Sequence, residues 1–184
     1  MIPYTLERRA DTGVSNATLG FWLFLASEVM LFGALFSAYA LLRVSAPSWP
    51  SGRDVLNPSL GLVNTVVLIA ATMAAWRART AGLKSRGYVF VASGLAIVFL
   101  IVKTFEYTSE ISAGLTPARS TFAAMYFTLT GVHAAHIVGG LIGNAWAAAG
   151  RAGDAMAAAR IRLMAVYWAF VDAIWLIIFV LLYL

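Results

Sequence analysis

The chain has 184 residues and a mass of 19.7 kDa; 61% of its residues are hydrophobic, only 11% are charged, and the mean hydropathy is +0.83. A water-soluble domain carries about 25% charged residues, and a chain this short buries only about 70% of its surface on folding, so a soluble globular fold and a disordered chain are both excluded. With no cysteine and a net charge of +5, disulfides, iron–sulfur clusters and cysteine-bound zinc are excluded as well. The excess of basic residues fits cytoplasmic loops of a membrane protein better than a nucleic-acid partner.

Five apolar stretches approach the roughly 20 residues that cross a bilayer. In chain order they run over 18–42, 59–77, 87–108, 120–148 and 163–184. They are long and lack strict alternation, so they read as helices, one of the two structures that satisfy the backbone in lipid. The expected fold is all-α, a polytopic membrane bundle in a single integral domain, 1–184. The first stretch is too long for the apolar region of a cleaved signal peptide. Asn57 and Pro58 supply a cap and a first-turn proline for the second span.

Loop charge sets the expected orientation. Arg8, Arg9, Arg77, Arg79, Lys84, Arg86, Arg151, Arg160 and Arg162 fall on the side of the N-terminus, against Arg43, Arg53 and Arg119 on the other. Nine against three places the N-terminus in the cytoplasm and the C-terminus outside. Trp22, Trp76, Tyr88 and Trp146 fall near inner ends, and Tyr39, Tyr107 and Tyr183 near outer ends, as interfacial aromatics would.

The ionisable residues inside spans carry the most information, because each costs about 2.5–3.5 kcal/mol at mid-bilayer on insertion scales. Glu28 lies about 15 Å from the inner surface by rise per residue, on a face of Phe and Leu. No Lys or Arg of the chain reaches that depth, so a protonated acid that donates a hydrogen bond is the expected state, as a structural group or a proton- or lipid-linked one. Lys103 and Glu106 stand at i,i+3 and are expected to form an ion pair near the outer end of the third span. His133 and His136 share the same spacing. With no further His or Cys to complete a coordination sphere, they read as polar contacts between helices, and no metal is expected on this chain. Asp172, between Trp168 and Trp175, reads as a hydrogen-bonded packing residue. In the fourth span Gly131, Ala135, Gly139, Gly143 and Ala147 place a small residue at every fourth position, a signal for close helix packing. The residues alone thus describe a helical membrane subunit without a complete catalytic site, or a small independent transporter; no inverted repeat or broken helix favours the latter.

Several strings resemble one family. WLFLASEVMLFGALFSAY resembles the "SEV" helix of subunit III of haem–copper oxidases, with Glu28 as its buried acid. WPSGRDVLNPSLGLVNTVVL, from Trp49, is similar to that family's Trp-Pro loop and Asn-Thr helix. FLIVKTFEYTSEISAGLTP resembles its helix ending in Glu-Tyr, YFTLTGVHAAHIVGGLI its TG-x-H-x-x-H helix, and YWAFVDAIWLIIFVLLYL its closing helix. The resemblance runs from about residue 18 to 184 and matches the last five of the seven helices the family often has, a shorter bacterial form. Two positions depart from it. Ala169 stands where the family usually has histidine, and Lys103 where mitochondrial-type chains have glutamine. Subunit-III-like proteins linked to nitric oxide reductase share part of the same wording.

The resemblance implies a non-catalytic subunit of a proton-pumping terminal oxidase. Such a subunit binds no haem or copper itself; those cofactors sit in partner subunits. It packs beside subunit I in a complex with subunit II, holds phospholipids, supports proton uptake and oxygen access, and protects the catalytic subunit from inactivation. Cytochrome c or quinol donates electrons to the whole complex, and no nucleic acid is involved. Trp22, Asn64, Lys103, Glu106, His133, His136 and Asp172 fall on the family's polar motif positions, in a bacterial plasma membrane.

Overall fold

A computed structural model describes residues 7–149 and 155–184. Five long helices account for most of them: α1 (Asn16–Ser45), α2 (Pro58–Ala78), α3 (Ser85–Ser112), α4 (Thr121–Ala148) and α5 (Ala155–Tyr183). All five are long and apolar enough to cross a membrane, so the chain is a multi-pass helical membrane protein. Each of the five expected spans coincides with one helix. The largest difference is at α5, which begins eight residues before the expected span, so Arg160 and Arg162 lie on a helix and not in a loop. Arg151, counted among the inner-side charges, lies outside the described residues.

The chain divides into two compact units, Met1–Ala38 and Tyr39–Leu184. In the first, Ser15 caps α1 by accepting from the Thr18 amide at 3.3 Å. Ahead of it, the Arg9 guanidinium donates to both carboxylate oxygens of Asp11, at 2.8 and 2.6 Å. That fork holds the Asp11 carboxyl down at about 2. Both side chains are exposed, where such a pair adds little stability.

In the second unit, α2 packs on α3 and α5, and α4 packs on α3 and α5. The four helices close into a ring, as in an up-and-down bundle. Asn57 caps α2 as its position predicts, its Oδ1 accepting from the amides of Ser59 (3.0 Å) and Leu60 (3.3 Å). Ser120 does the same for α4, accepting from Ala123 at 3.1 Å. The α3 helix ends in a paired C-cap: the Leu115 amide donates to the Glu110 carbonyl and Gly114 to Ile111, both at 2.9 Å. Gly114 takes φ +84° to do so, a conformation glycine adopts without steric cost.

The buried residues of α3 are Val89, Ala92, Ala96, Phe99, Lys103, Glu106 and Glu110. Their spacing alternates three and four without a break, the seam of a left-handed helix pair. Large apolar side chains such as Leu68, Phe99, Trp168 and Ile178 fill the core beside small and polar groups, while Phe90, Ile101, Phe105, Ile142 and Val180 face outward. Apolar residues both inside and outside are expected where lipid is the solvent.

Candidate functional site

The polar residues of the second unit gather in the bundle interior. At its centre is Lys103. Its Nζ donates to Glu106 Oε2 (3.1 Å), to the Tyr126 hydroxyl (3.1 Å) and to the Tyr183 hydroxyl (2.6 Å). The hydroxyls of Tyr126 and Tyr183 in turn donate to Glu106 Oε1, at 3.0 and 2.5 Å. An ammonium has three N–H donors, and here all three are used. The same ammonium lies 4.7 Å from the centroid of the Tyr126 ring and 5.6 Å from that of Trp175. The four residues are buried. Transfer of the two charges out of water is costly, and the phenol hydrogen bonds offset that cost by using the remaining donors and acceptors. The cluster is neutral as a whole and closed on itself.

The expected Lys103–Glu106 pair is therefore present, and three helices hold it, not one. Tyr126 comes from α4 and Tyr183 from the end of α5. Of the aromatics expected to anchor the outer interface, Tyr183 and Tyr39 are buried instead. Tyr39 donates to the Leu181 carbonyl at 2.7 Å. Tyr107 meets Thr130 Oγ1 at 2.5 Å, and the Thr130 hydroxyl donates to the Tyr126 carbonyl at 2.6 Å. Their hydroxyls turn to polar groups on neighbouring helices: Tyr39 to α5, Tyr107 to α4 and Tyr183 to α3. The inner-side aromatics Trp22, Trp76, Tyr88 and Trp146 are exposed as expected. Arg79 stacks over Trp76 and Arg160 over Trp146, at 4.1 and 4.3 Å.

Further along the bundle, the two tryptophans flanking Asp172 point their indole N–H groups inward. Trp175 donates to Thr65 Oγ1 and Trp168 to Asn144 Oδ1, each at 3.0 Å. Asn144 continues the chain to Ser93 Oγ at 2.9 Å. The Thr72 hydroxyl donates to the Trp168 carbonyl at 3.3 Å, and Asp172 Oδ1 is buried with no hydrogen-bond partner among the described residues. His136 Nδ1 lies 2.7 Å from the Val132 carbonyl of its own helix. Among the described residues, no hydrogen bond from His133 links it to another helix. Its ring packs between Phe99 and Trp175, with centroids 5.6 and 5.2 Å away. Asn64 is fully buried on α2. Glu28, on α1, is half-buried within the first unit, and Trp22 is exposed one and a half turns before it.

The small-residue stripe does not form one seam. A Cβ added at Gly143 would meet the Met164 side chain at 2.6 Å, but at Gly139 it would make an ordinary 3.5 Å contact with the Tyr167 hydroxyl. Gly131 is more open still, and Ala135 is exposed. The tightest approach to a rigid group falls at Gly140, off the stripe, where a Cβ would lie 2.9 Å from the Trp168 ring.

Among the described residues, no group of three or more His, Asp or Glu is placed to hold a metal ion.

Residues 8–184 match the family described as cytochrome c oxidase subunit III. The chain belongs to that family. Subunit III relatives span most of it: it is 30% identical over 186 residues to a cytochrome bo(3) ubiquinol oxidase subunit 3 of Pseudomonas aeruginosa, covering 95% of this chain and 87% of that one. It is 28% identical over 193 residues to a cytochrome c oxidase subunit 3 of Bacillus sp. strain PS3, covering 99% and 92%. A haem–copper oxidase subunit I+III of Aeropyrum pernix is 33% identical over 179 residues; that match covers 89% of this chain but only 22% of the longer relative. As a subunit III, the chain is an accessory subunit of a haem–copper oxidase.

Proposed function

We propose that this chain is the non-catalytic subunit III of a proton-pumping terminal oxidase in a bacterial plasma membrane. It packs beside subunit I in a complex with subunit II, holds phospholipids, and supports proton uptake, oxygen access and complex stability. The haems and copper belong to the partner subunits, and cytochrome c or quinol feeds the complex. The observation that carries this reading is the family match over residues 8–184. The closed Lys103–Glu106–Tyr126–Tyr183 cluster agrees with it, since the charged groups satisfy one another and leave none turned to a substrate. The N-terminus is cytoplasmic in this reading, supported by the nine inner-side basic residues against three.

Glu28 is the residue through which the chain bears on proton supply or lipid, and Trp22, Asn64, Lys103, Glu106, His133, His136 and Asp172 are the polar positions of the family's motifs. Removing the subunit from the purified complex tests this. The haem spectrum and initial oxygen consumption should persist while activity decays faster during turnover. Immediate loss of the haem spectrum would contradict an accessory role. Glu28→Gln should assemble normally and show slower turnover or faster decay; unchanged kinetics in that variant would remove Glu28 from the proposal.

A further inference from the structure

His133 and Asn64 are the two most deeply buried polar side chains that the networks above leave out. Each is 0% exposed. Neither ring nitrogen of His133 and neither side-chain atom of Asn64 has a hydrogen-bond partner among the described residues. Leaving such groups unpaired in a low-dielectric interior costs more than a hydrogen bond contributes. A neutral imidazole carries one donor and one acceptor, and a carboxamide carries two donors and an acceptor. The occupant that completes either one must therefore both donate and accept, and must be small enough to sit inside a closed bundle.

We propose that His133 and Asn64 each bind an ordered water, so that the four-helix interior is a hydrated site. Water supplies both hydrogen-bonding roles in one molecule, and buried waters characteristically bridge otherwise unsatisfied polar groups. Lipid chains offer neither role. A metal ion would need further ligands, and the described residues contain no such group around His133.

The surroundings fix where this water acts. The Trp175 ring lies 5.2 Å from the His133 ring and 5.6 Å from Lys103 Nζ. Its indole N–H is committed to Thr65, the residue next to Asn64 on α2. Phe99 closes another side of the imidazole. One aromatic ring thus stands between the hydrated imidazole and the ion-pair cluster, and the turn of α2 that bonds Trp175 also carries Asn64. Lys103, Glu106, Tyr126 and Tyr183 need no water, since they complete one another. His133 and Asn64 have hydrogen-bonding capacity that no described residue fills.

The test is a density map of the intact complex at a resolution that shows ordered water, for the parent and for His133→Phe. The expected result is a peak at about 2.7–3.2 Å from a ring nitrogen of His133, and a second at the same range from the Asn64 carboxamide. The His133 peak should be lost in His133→Phe, with the Lys103 cluster unmoved. Should that variant fail to assemble, Asn64→Leu removes the second peak alone, and the parent map decides by itself. A parent map without these peaks would overturn the proposal. So would a side chain from any other segment or subunit in hydrogen-bond contact with those atoms.

Discussion

Lys103 and Glu106 stand one turn apart on α3, with Nζ 3.1 Å from Oε2, and both side chains are closed off from the surface. An isolated i,i+3 pair on an exposed helix adds only about 0.2–0.5 kcal/mol. Here the pair is the hub of a cluster that joins α3, α4 and the last residue but one of the chain. The interaction is local in sequence, but its completion by Tyr126 and Tyr183 is not.

Removing both charges of this cluster should cost less than the sum of removing each alone. Lys103→Met leaves a carboxylate buried without its cation, and Glu106→Gln leaves the ammonium without its anion. Each should lose about 3–5 kcal/mol of stability. The double variant Lys103→Met/Glu106→Leu should lose less than the two single losses combined, since no charge is left unpaired. Thermal unfolding of the complex in detergent measures all three. Additive losses would mean that the two charges do not depend on each other.

The glycines of α4 should separate by one residue. Gly140→Ala drives a methyl group into the Trp168 ring, and overpacking of this kind costs about 1–3 kcal/mol. Gly139→Ala meets only an ordinary contact with Tyr167, and gains about 1 kcal/mol of helix propensity when the position is otherwise free. Thermal midpoints of the assembled protein should therefore fall for Gly140→Ala and hold or rise for Gly139→Ala. The reverse order would contradict the packing of α4 on α5.

Much of this was readable in the sequence, and the missing part has one cause. Span number and the caps at Asn57 and the Lys103–Glu106 pair follow from patterns along one helix. Rotational pairing between helices does not. Tyr183 reads as an interfacial aromatic because of its place at a span end, yet its hydroxyl closes the buried ion pair. The stripe from Gly131 to Ala147 has regular spacing, but the face that meets α5 most tightly is set by Trp168, which lies on another helix. Asn144 is the clearest missed residue: a lone amide inside an apolar run, which signals a buried partner without naming Trp168 and Ser93. The helix α5 begins before its apolar run, at Ala155, and so carries Arg160 and Arg162, which read as loop residues in the sequence. Arg160 stays on the helix with its guanidinium stacked on Trp146, an arrangement that keeps the charge at the interface.

Topology follows from the loop charges. Reporter fusions at Arg79, between α2 and α3, and at Ala46, after α1, should lie on opposite sides, with Arg79 in the cytoplasm. Both reporting the same side would contradict the span assignment, and a periplasmic Arg79 would reverse the orientation.

Affinity purification of the tagged chain from its native membrane tests the accessory-subunit assignment most directly. Reduced-minus-oxidised visible spectra and mass spectrometry of the purified material are the readouts. The account predicts stoichiometric recovery with oxidase subunits I and II, with haem present in the purified material. Recovery of this chain as a stable unit with no haem-bearing partner would contradict it.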